Sequence, residues 1–204
     1  MLFEPGRNCC RMARARRASV IVDACDYYRV VRQAMLDAKH RILIIGWDFD
    51  PRIKLEPDKT ETLGGFLLRL AKSKPDVEIA ILKWNFGALK TLFRGSAIVW
   101  MVRLAMTKAI RFKLDAAHPA GCSHHQKIVV IDDSFAICGG IDMTGDRWDR
   151  SAHADADPDR TRPNGKLYGP WHDATMAGQG EVASALGDLR RERWQGATGV
   201  ETPS

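Results

Sequence analysis

The feature that most constrains this chain is a series of short apolar runs that alternate with helical stripes. Ile42 to Ile45 is a continuous β-branched and leucine run, which is typical of a strand covered on both faces of a sheet. Val77 to Lys83 predicts another strand, and Ile110 to Leu114 alternates strictly and predicts a further one. Because amphipathic helices separate these strands, the sequence predicts an α/β fold with a mixed β-sheet flanked by helices.

Helices are predicted wherever apolar residues recur at a period of 3.6. Asp23, with Asp26 three positions later, offers an N-cap for the first helix. The predicted helices run from Asp23 to about Lys39, from about Thr62 to Pro75, from Leu89 to Met106 with a break near Gly95, and from about Val182 to Trp194.

Length and composition favour one globular unit. The chain has 204 residues with 45% hydrophobic content, enough for one domain with a substantial core. We divide it into a basic N-terminal arm at 1–18, one folded domain at 19–195 and a tail at 196–204. The net charge of +6 permits anionic partners such as phospholipid head groups or nucleic acid, and it selects neither.

The cysteines and the apolar segments predict a cytoplasmic protein. Five cysteines at irregular spacing suit reduced thiols better than a disulfide framework. The arginine-rich N-terminus has no continuous apolar segment behind it, which argues against a secretory signal. Ala97 to Met106 is about half as long as a bilayer requires and contains Arg103, so we predict a buried helix there. Peripheral contact with the inner membrane stays an alternative.

The stretch from Ser123 to Asp132 contains the residues that predict a reaction at phosphorus. His125 and Lys127 stand two positions apart and open an apolar run, so a strand would place both side chains on one face and His124 on the other. A neutral imidazole, with an ordinary pKa of about 6.5, attacks phosphorus and forms a covalent phosphohistidine. A lysine beside it neutralises the charge on the phosphoryl oxygens.

The residues that follow predict a hairpin and a long loop. Gln126 to Ile131 and Phe135 to Cys138 flank a turn signal at Asp132-Asp133. Gly139 and Gly140 then permit close approach of backbone N–H groups to an anion. Thr144 to Tyr168 is a polar loop of a length that is usually functional or disordered, and a short strand is predicted at Trp171 to Met176.

These residues together resemble the phospholipase D superfamily. The hallmark His-x-Lys-x4-Asp, followed by Gly-Gly and Asn or Asp, stands here as His125, Lys127, Asp132, Gly139, Gly140 and Asp142. The likeness spans roughly Pro5 to Trp194 and includes further stretches of phospholipase D proper. They are Pro5 to Cys9, Ile44 to Asp48, Arg147-Trp148-Asp149, Pro170-Trp171-His172-Asp173 and Arg191 to Trp194.

The resemblance implies a metal-independent phosphodiesterase or phosphatidyltransferase with an α/β-sandwich fold and no cofactor. His125 would then be nucleophile or general acid, and Lys127 would bind the phosphoryl group. Asp142 occupies a position near the phosphate where many relatives place Asn. Asp132, the last member of the catalytic motif, is expected to brace the turn, and Asp173 is expected to accept a hydrogen bond from the other ring nitrogen of His125.

The chain carries only one such motif, whereas two normally face each other, one histidine attacking and the other protonating the leaving alcohol. It is therefore either the N-terminal half of an enzyme of about twice the length or a homodimer with His125 from each subunit in one site. The extended likeness favours the half enzyme. We predict phospholipid as substrate and a second motif as obligatory partner.

Three alternatives remain open. A homodimeric nuclease would use the same chemistry, with the N-terminal arginines gripping phosphates. A non-catalytic fragment would fold and bind phosphate only weakly. A zinc site is suggested by four residues that are close in sequence, namely His118, Cys122, His124 and His125. On a strand, however, the side chains of His124 and His125 would point to opposite faces.

Overall fold

A computed structural model describes residues 2–85, 95–119 and 121–200. The strands are β1 (Arg17–Val22), β2 (Arg41–Gly46), β3 (Glu78–Trp84), β4 (Ile110–Asp115), β5 (Ile128–Ile131), β6 (Phe135–Gly139) and β7 (Ala174–Gln179). The helices are α1 (Ala24–Asp37), α2 (Leu63–Ser73), α3 (Ala97–Ala105) and α4 (Glu181–Thr198).

The described strands form one mixed sheet in the order β1-β7-β6-β5-β2-β3-β4. β2 and β3 are parallel, as are β3 and β4, because α2 and α3 lie in the crossover connections between them. β5 runs antiparallel to β2, and the β5–β6 hairpin then pairs with β7. The prediction of a mixed α/β sheet flanked by helices is confirmed.

The sheet carries a core on each face. On one face α1 and α2, with Leu104 of α3, pack against alternate residues of the central strands. On the other face α4 contributes Ala183 and Trp194 to a smaller core that contains Leu43, Ile45 and Val130. The continuous apolar run of β2 is explained by this arrangement, because neighbouring side chains enter different cores.

The ends of several predicted elements differ from the observed ones. β5 begins at Ile128, two residues after the predicted start, and β7 covers Ala174–Gln179 instead of Trp171 to Met176. α4 continues to Thr198, where Gly199 adopts a left-handed conformation (φ 69°) and ends the helix. The apolar stripe stops at Trp194, so the pattern alone ended this helix too early. The part of the third predicted helix at 89–94 lies outside the described residues.

Asp23 is the N-cap residue of α1, as predicted, but its side chain does not cap the helix. Asp23 has φ 64° and makes no side-chain cap bond to the helix. Its buried carboxylate instead lies 2.8 Å from Nδ1 of His172, a residue from the far end of the sequence. A tertiary contact has therefore replaced the local one that the spacing of Asp23 and Asp26 suggested.

The predicted burial of α3 is wrong for one side of that helix. Ala97 and Leu104 are buried, but Val99, Val102 and Met106 are 59%, 50% and 81% exposed. None of the helices in the described ranges combines the length and the apolar character needed to cross a bilayer.

The N-terminal arm lies along the last helix. Arg11 forms ion pairs with Asp188 and Glu192 of α4, at 3.4 and 2.8 Å. The backbone carbonyl of Arg14 accepts a hydrogen bond from Val182 N at 3.1 Å. These contacts bring the arginine-rich segment to the sheet edge where β1 begins.

Candidate active site

The His-x-Lys motif lies at the edge of the sheet where β2 ends. β5 pairs antiparallel with β2, and Ile128 at its start is opposite Ile45 near the end of β2. His125 and Lys127 immediately precede β5, so both lie outside the carboxyl end of β2. Ligands of open α/β sheets bind at such strand ends.

His125 and Lys127 contact each other, whereas His124 turns away. Lys127 Nζ lies 3.0 Å from Nε2 of His125. The ring of His124 instead places Nε2 2.9 Å from the carbonyl oxygen of Ala117. Partial burial, and then the positive charge of Lys127, lower the pKa of His125 below its usual 6.5. A neutral imidazole at pH 7 follows, with its Nε2 lone pair directed at the ammonium group.

Asp142 lies behind Lys127 and is nearly inaccessible to solvent. Its Oδ2 is 3.4 Å from Lys127 Nζ, and its Oδ1 accepts a hydrogen bond from Trp47 N at 3.1 Å. Burial raises the pKa of Asp142 to about 6, although Lys127 opposes the shift. The lysine is therefore held between a carboxylate and an imidazole.

Tryptophan side chains form a wall beside the motif. Trp47 lies edge-on to His125 with ring centroids 5.6 Å apart, and its Nε1 donates a hydrogen bond to Ser123 Oγ at 2.9 Å. Trp84 stacks on Trp47 at 5.6 Å. Since both tryptophans follow or end a buried strand, the sequence signal for this wall was their position at a strand terminus.

Sequence reasoning missed a buried polar network under the site. Lys83 is completely buried, and its Nζ lies 2.7 Å from Asp48 Oδ1. Thr144 donates a hydrogen bond to Asp48 Oδ2 at 2.7 Å. A lysine near the end of the otherwise apolar β3 is the signal that could have revealed the network, because a buried charge requires a partner.

Asp132 lies at the opposite end of β5 from Lys127. Its carboxylate accepts three backbone hydrogen bonds, from the N–H groups of Lys39 and His40 at 2.8 Å and of Arg41 at 2.7 Å. Burial tends to raise the pKa of Asp132, but these three donors hold it below its usual range. The hairpin turn is thereby fixed to the connection between α1 and β2.

The two glycines after β6 serve close packing in the sheet. Gly139 N donates to Lys127 O at 3.3 Å, and Gly140 N donates to Ala174 O at 3.0 Å. A Cβ atom on Gly140 would lie 1.9 Å from Asp173 Oδ1, and one on Gly139 would lie 2.4 Å from Thr175. Both amide groups are engaged within the sheet, so the expected approach of these N–H groups to an anion finds no support in this arrangement.

Asp173 is close to the motif but is not joined to His125. Its Oδ1 accepts a hydrogen bond from Ala174 N at 2.8 Å and lies against Gly140. Among the described residues no hydrogen bond links Asp173 to His125. The structure therefore brings together His125, Lys127 and Asp142, places Asp173 across β6, and separates Asp132 from all of them.

A second polar cluster joins the long loop to the start of α1. His153 Nε2 lies 3.2 Å from Asp23 Oδ2 and 3.0 Å from Nδ1 of His172, and Asp149 binds the other nitrogen of His153 at 3.1 Å. Among the described residues these side chains, Asp23, His153 and His172, are the group whose donor atoms could hold a metal ion.

The residues suggested for zinc from the sequence do not converge in the same way. His118 contacts Asn85 Oδ1 and Trp84 Nε1, at 2.9 and 3.0 Å, and the thiol of Cys122 belongs to an exposed residue. His124 is held by the carbonyl of Ala117. No metal-binding group of three is found at this position within the residues that the structure describes.

A cavity of about 470 Å³ lies apart from the motif. It is bounded by the loop after β2 and by the loop that follows Thr144, with Arg52, Arg162 and Tyr168 among its lining residues. Arg162 and Arg52 are already paired with Asp146 and Asp50. His125 and Lys127 do not line this cavity, so the chemistry that the motif predicts is not located there.

The family model and the curated relatives that match this chain carry the same name, phospholipase D. The family model described as phospholipase D matches residues 34–203. Phospholipase D B of Dictyostelium discoideum is 26% identical over 212 residues, which cover 88% of this chain and 17% of that protein. Phospholipase D1 of Homo sapiens is 30% identical over 139 residues, covering 65% of this chain and 13% of that protein. The chain thus spans less than a fifth of these relatives.

Solved structures with a similar fold include short and long chains. Nuc from Salmonella typhimurium, a phospholipase D family member, superposes with a TM-score of 0.59 at 16% identity and covers 92% of this chain and all of that chain. Phosphatidylserine synthase of Haemophilus influenzae gives a TM-score of 0.57 at 12% identity, over 87% of this chain and 36% of that one. These identities establish likeness of fold.

Proposed function

The chain belongs to the phospholipase D family, and on this premise we propose that it carries one half of a phosphodiesterase active site with His125 as nucleophile. The observation that carries the proposal is the 3.0 Å contact between Lys127 Nζ and His125 Nε2, together with the lowered pKa of His125. A neutral imidazole and a fixed cation are the two groups that attack on a phosphodiester requires.

The first step forms a phosphohistidine. The lone pair on Nε2 of His125 attacks phosphorus, the bond from phosphorus to the leaving alkoxide oxygen breaks, and that oxygen takes a proton from a general acid. The ammonium group of Lys127 gives up its contact with Nε2 of His125 and binds the non-bridging phosphoryl oxygens instead. The negative charge of these oxygens takes the place of the imidazole lone pair. Water, or a second alcohol for transfer, then attacks phosphorus and gives its proton to the conjugate base of that general acid. The bond from phosphorus to Nε2 breaks, which restores the histidine.

The general acid comes from outside this motif. No second His-x-Lys occurs in the 204 residues, so the proton donor is supplied by another half or another copy of the chain. Asp142 holds Lys127 in place, since its carboxylate is 3.4 Å from the ammonium nitrogen. Asp173 is proposed as a positioning residue that acts on the motif through Gly140, against which its carboxylate lies.

We propose phospholipid as the substrate. Support comes from the relatives in the comparison, which are named phospholipase D, and from the net charge of +6, which favours an anionic partner.

A nuclease is the second candidate, and one observation favours it. Nuc is matched over its whole length, so the fold described here is similar to that of the whole Nuc chain. Two copies would then place His125 from each subunit in one site. Light scattering combined with parallel assays on phosphatidylcholine vesicles and on single-stranded DNA separates the candidates.

The decisive experiment compares the chain alone with the chain supplied with a second motif. We expect turnover of a chromogenic phosphodiester and covalent labelling of His125 only in the assembled protein, and neither in the His125→Ala variant. His124→Ala, whose ring faces Ala117, is the matched control and should retain labelling. Full turnover in His125→Ala would refute the assignment, and an assembled protein without turnover would support a phosphate-binding fragment.

A further inference from the structure

Helix α3 presents an apolar surface to solvent. Its sequence from Ala97 to Ala105 contains a single charged residue, Arg103, and it is followed by Met106. Val99, Val102 and Met106 are spaced three and four positions apart and form one stripe, with 59%, 50% and 81% exposure. A helix that is apolar on all sides is normally buried, so an exposed stripe of this kind marks an interaction surface.

The orientation of α3 is fixed by its inner side. Ala97 and Leu104 are buried in the core, and Trp100 packs so closely on α2 that a Cβ atom on Gly64 would lie 2.6 Å from its ring. Rotating the helix to hide Val99 and Val102 would remove these contacts. The outer stripe is therefore exposed because the inner stripe is already occupied.

The charge around α3 selects an anionic partner. No Asp or Glu occurs between positions 79 and 114 of the sequence, so the charged side chains of α3 and of the turn after it are all basic. Arg103 and Lys108, at the end of the helix, are exposed, and no ion pair engages either of them in the part of the chain that the structure describes. An apolar stripe bordered by cations is the pattern of helices that lie in the interface of an anionic bilayer.

The same charge argues against a second copy on this surface. Two identical cationic faces would bring Arg103 and Lys108 of one chain toward those of the other, and like charges at such distances repel. A lipid surface, in contrast, offers phosphate groups to the cations and acyl chains to Val99, Val102 and Met106.

One end of this surface lies toward the strand ends that carry the motif. α3 belongs to the crossover from the end of β3 to the start of β4, so its first turn is nearer to the sheet edge that carries His125 and Lys127. Contact of Trp100 with the first turn of α2, which follows the loop after β2, agrees with that placement. The first turn, at Val99, therefore lies toward the motif, whereas Met106 and Lys108 lie toward the start of β4.

We propose that the outer stripe of α3, formed by Val99, Val102 and Met106 with Arg103 and Lys108, docks on the surface of an anionic phospholipid bilayer. The proposal rests on the phospholipid substrate proposed above. It adds that the chain finds its substrate at an interface, through a surface separate from the motif.

Co-sedimentation with vesicles tests the proposal. Phosphatidylcholine vesicles with and without phosphatidylglycerol are mixed with the purified 204-residue chain. We expect binding to the anionic vesicles only, lowered by more than about tenfold in Val99→Glu/Val102→Glu, which would bury carboxylates, and by about fivefold in Arg103→Gln. Leu167→Glu is the control, because Leu167 is likewise 59% exposed but lies in the long loop. Thermal melts confirm that each variant is folded.

The outcomes are distinct from those for the catalytic proposal. His125→Ala should bind anionic vesicles like the unaltered chain, so retained binding, together with turnover lost when a second motif is supplied, supports docking. Turnover of a soluble phosphodiester without vesicle binding would overturn docking while leaving the catalytic proposal intact. Equal loss of binding in Leu167→Glu, or a molecular mass halved by Val99→Glu in light scattering, would also overturn docking, the latter in favour of a second copy on α3.

Discussion

The two ends of β5 use the same sequence motif for different purposes. At the start of the strand, His125 and Lys127 direct their side chains at each other and toward Asp142. At its end, Asp132 directs its carboxylate at three backbone N–H groups of the α1–β2 connection. One end carries the groups that we propose for reaction, and the other holds the hairpin in register.

The difference shows that contacts at one end of a short strand can fix the position of side chains at its other end. Lys127 and Asp132 are five positions apart, a distance of roughly 16 Å in an extended chain. Because β5 is hydrogen-bonded to β2 and β6 along its length, fixing the turn at Asp132 fixes the place of Lys127 at the other end. Substitutions at the two ends should accordingly change different observables.

The largest expected effect is the loss of chemistry at the reactive end. In an assembly that contains two motifs, His125→Ala should lower kcat for a chromogenic phosphodiester by more than about 10³-fold, because the nucleophile is removed. Its free energy of unfolding should change little, since His125 is only partly buried. Steady-state kinetics and chemical denaturation of the same preparation measure both quantities.

A loss of stability is the next effect, at the turn end. Asp132→Ala leaves three N–H groups without their acceptor and places alanine at φ 51°, so the free energy of unfolding should fall by about 3–4 kcal/mol. Urea denaturation measures this change. Asp132→Asn keeps one oxygen acceptor and tolerates the left-handed backbone, and it should cost less.

The pH dependence gives the sign of the Asp132 contribution. Its pKa is lowered in the folded state, so the stabilisation is present above the ordinary pKa of 3.8 and is lost as pH falls through the lower folded value. If Asp132→Asn retained its stability but lost kcat by as much as His125→Ala, the division of labour between the two ends of β5 would be wrong.

The sequence predicted the elements more successfully than the contacts between them. Periodicity located the strands and helices because each pattern reflects burial against the sheet, as in Ile42 to Ile45. Helix ends such as Gly199 and the start of β7 depend on backbone conformation and strand pairing, which no apolar pattern records. The exposed stripe of α3 escaped prediction because composition does not reveal what is available to cover a helix.

The site was predictable only in part for a similar reason. Spacing placed His125 beside Lys127, and a local turn signal located Asp132. The pairings of Asp23 with His172 and of Lys83 with Asp48 join residues that are far apart in sequence, and only the folded sheet brings them together. Residues of one local motif can thus be predicted from the sequence, whereas the buried residues that support them cannot.

The support behind Lys127 gives a smaller effect, visible as a pH dependence. The pKa of Asp142 is about 6 in the folded protein, above the 3.8 of an exposed carboxyl group. The folded state therefore binds more protons between about pH 4 and 6, and stability falls as pH rises through that window, by about 2–3 kcal/mol in total. Asp142→Asn should abolish this slope.

Denaturation curves at several pH values measure the slope. Asp146→Asn is the control, because that carboxylate is exposed on the long loop and pairs with Arg162. An unchanged slope in Asp142→Asn would mean that Asp142 is not the group that titrates near pH 6.

The smallest effect concerns the charge that Lys127 places on His125. Burial and then Lys127 lower the pKa of His125, so replacing the ammonium group should raise the pKa toward 6.5 without removing the contribution of burial. Lys127→Met is suitable because methionine fills a similar volume, and Lys113→Met on the exposed edge strand is the control. Titration of the imidazole by NMR follows His125 directly, even in a chain without turnover. A pKa that stays unchanged in Lys127→Met but rises in Lys113→Met would mean that long-range charge, and not the 3.0 Å contact, sets the protonation state of the nucleophile.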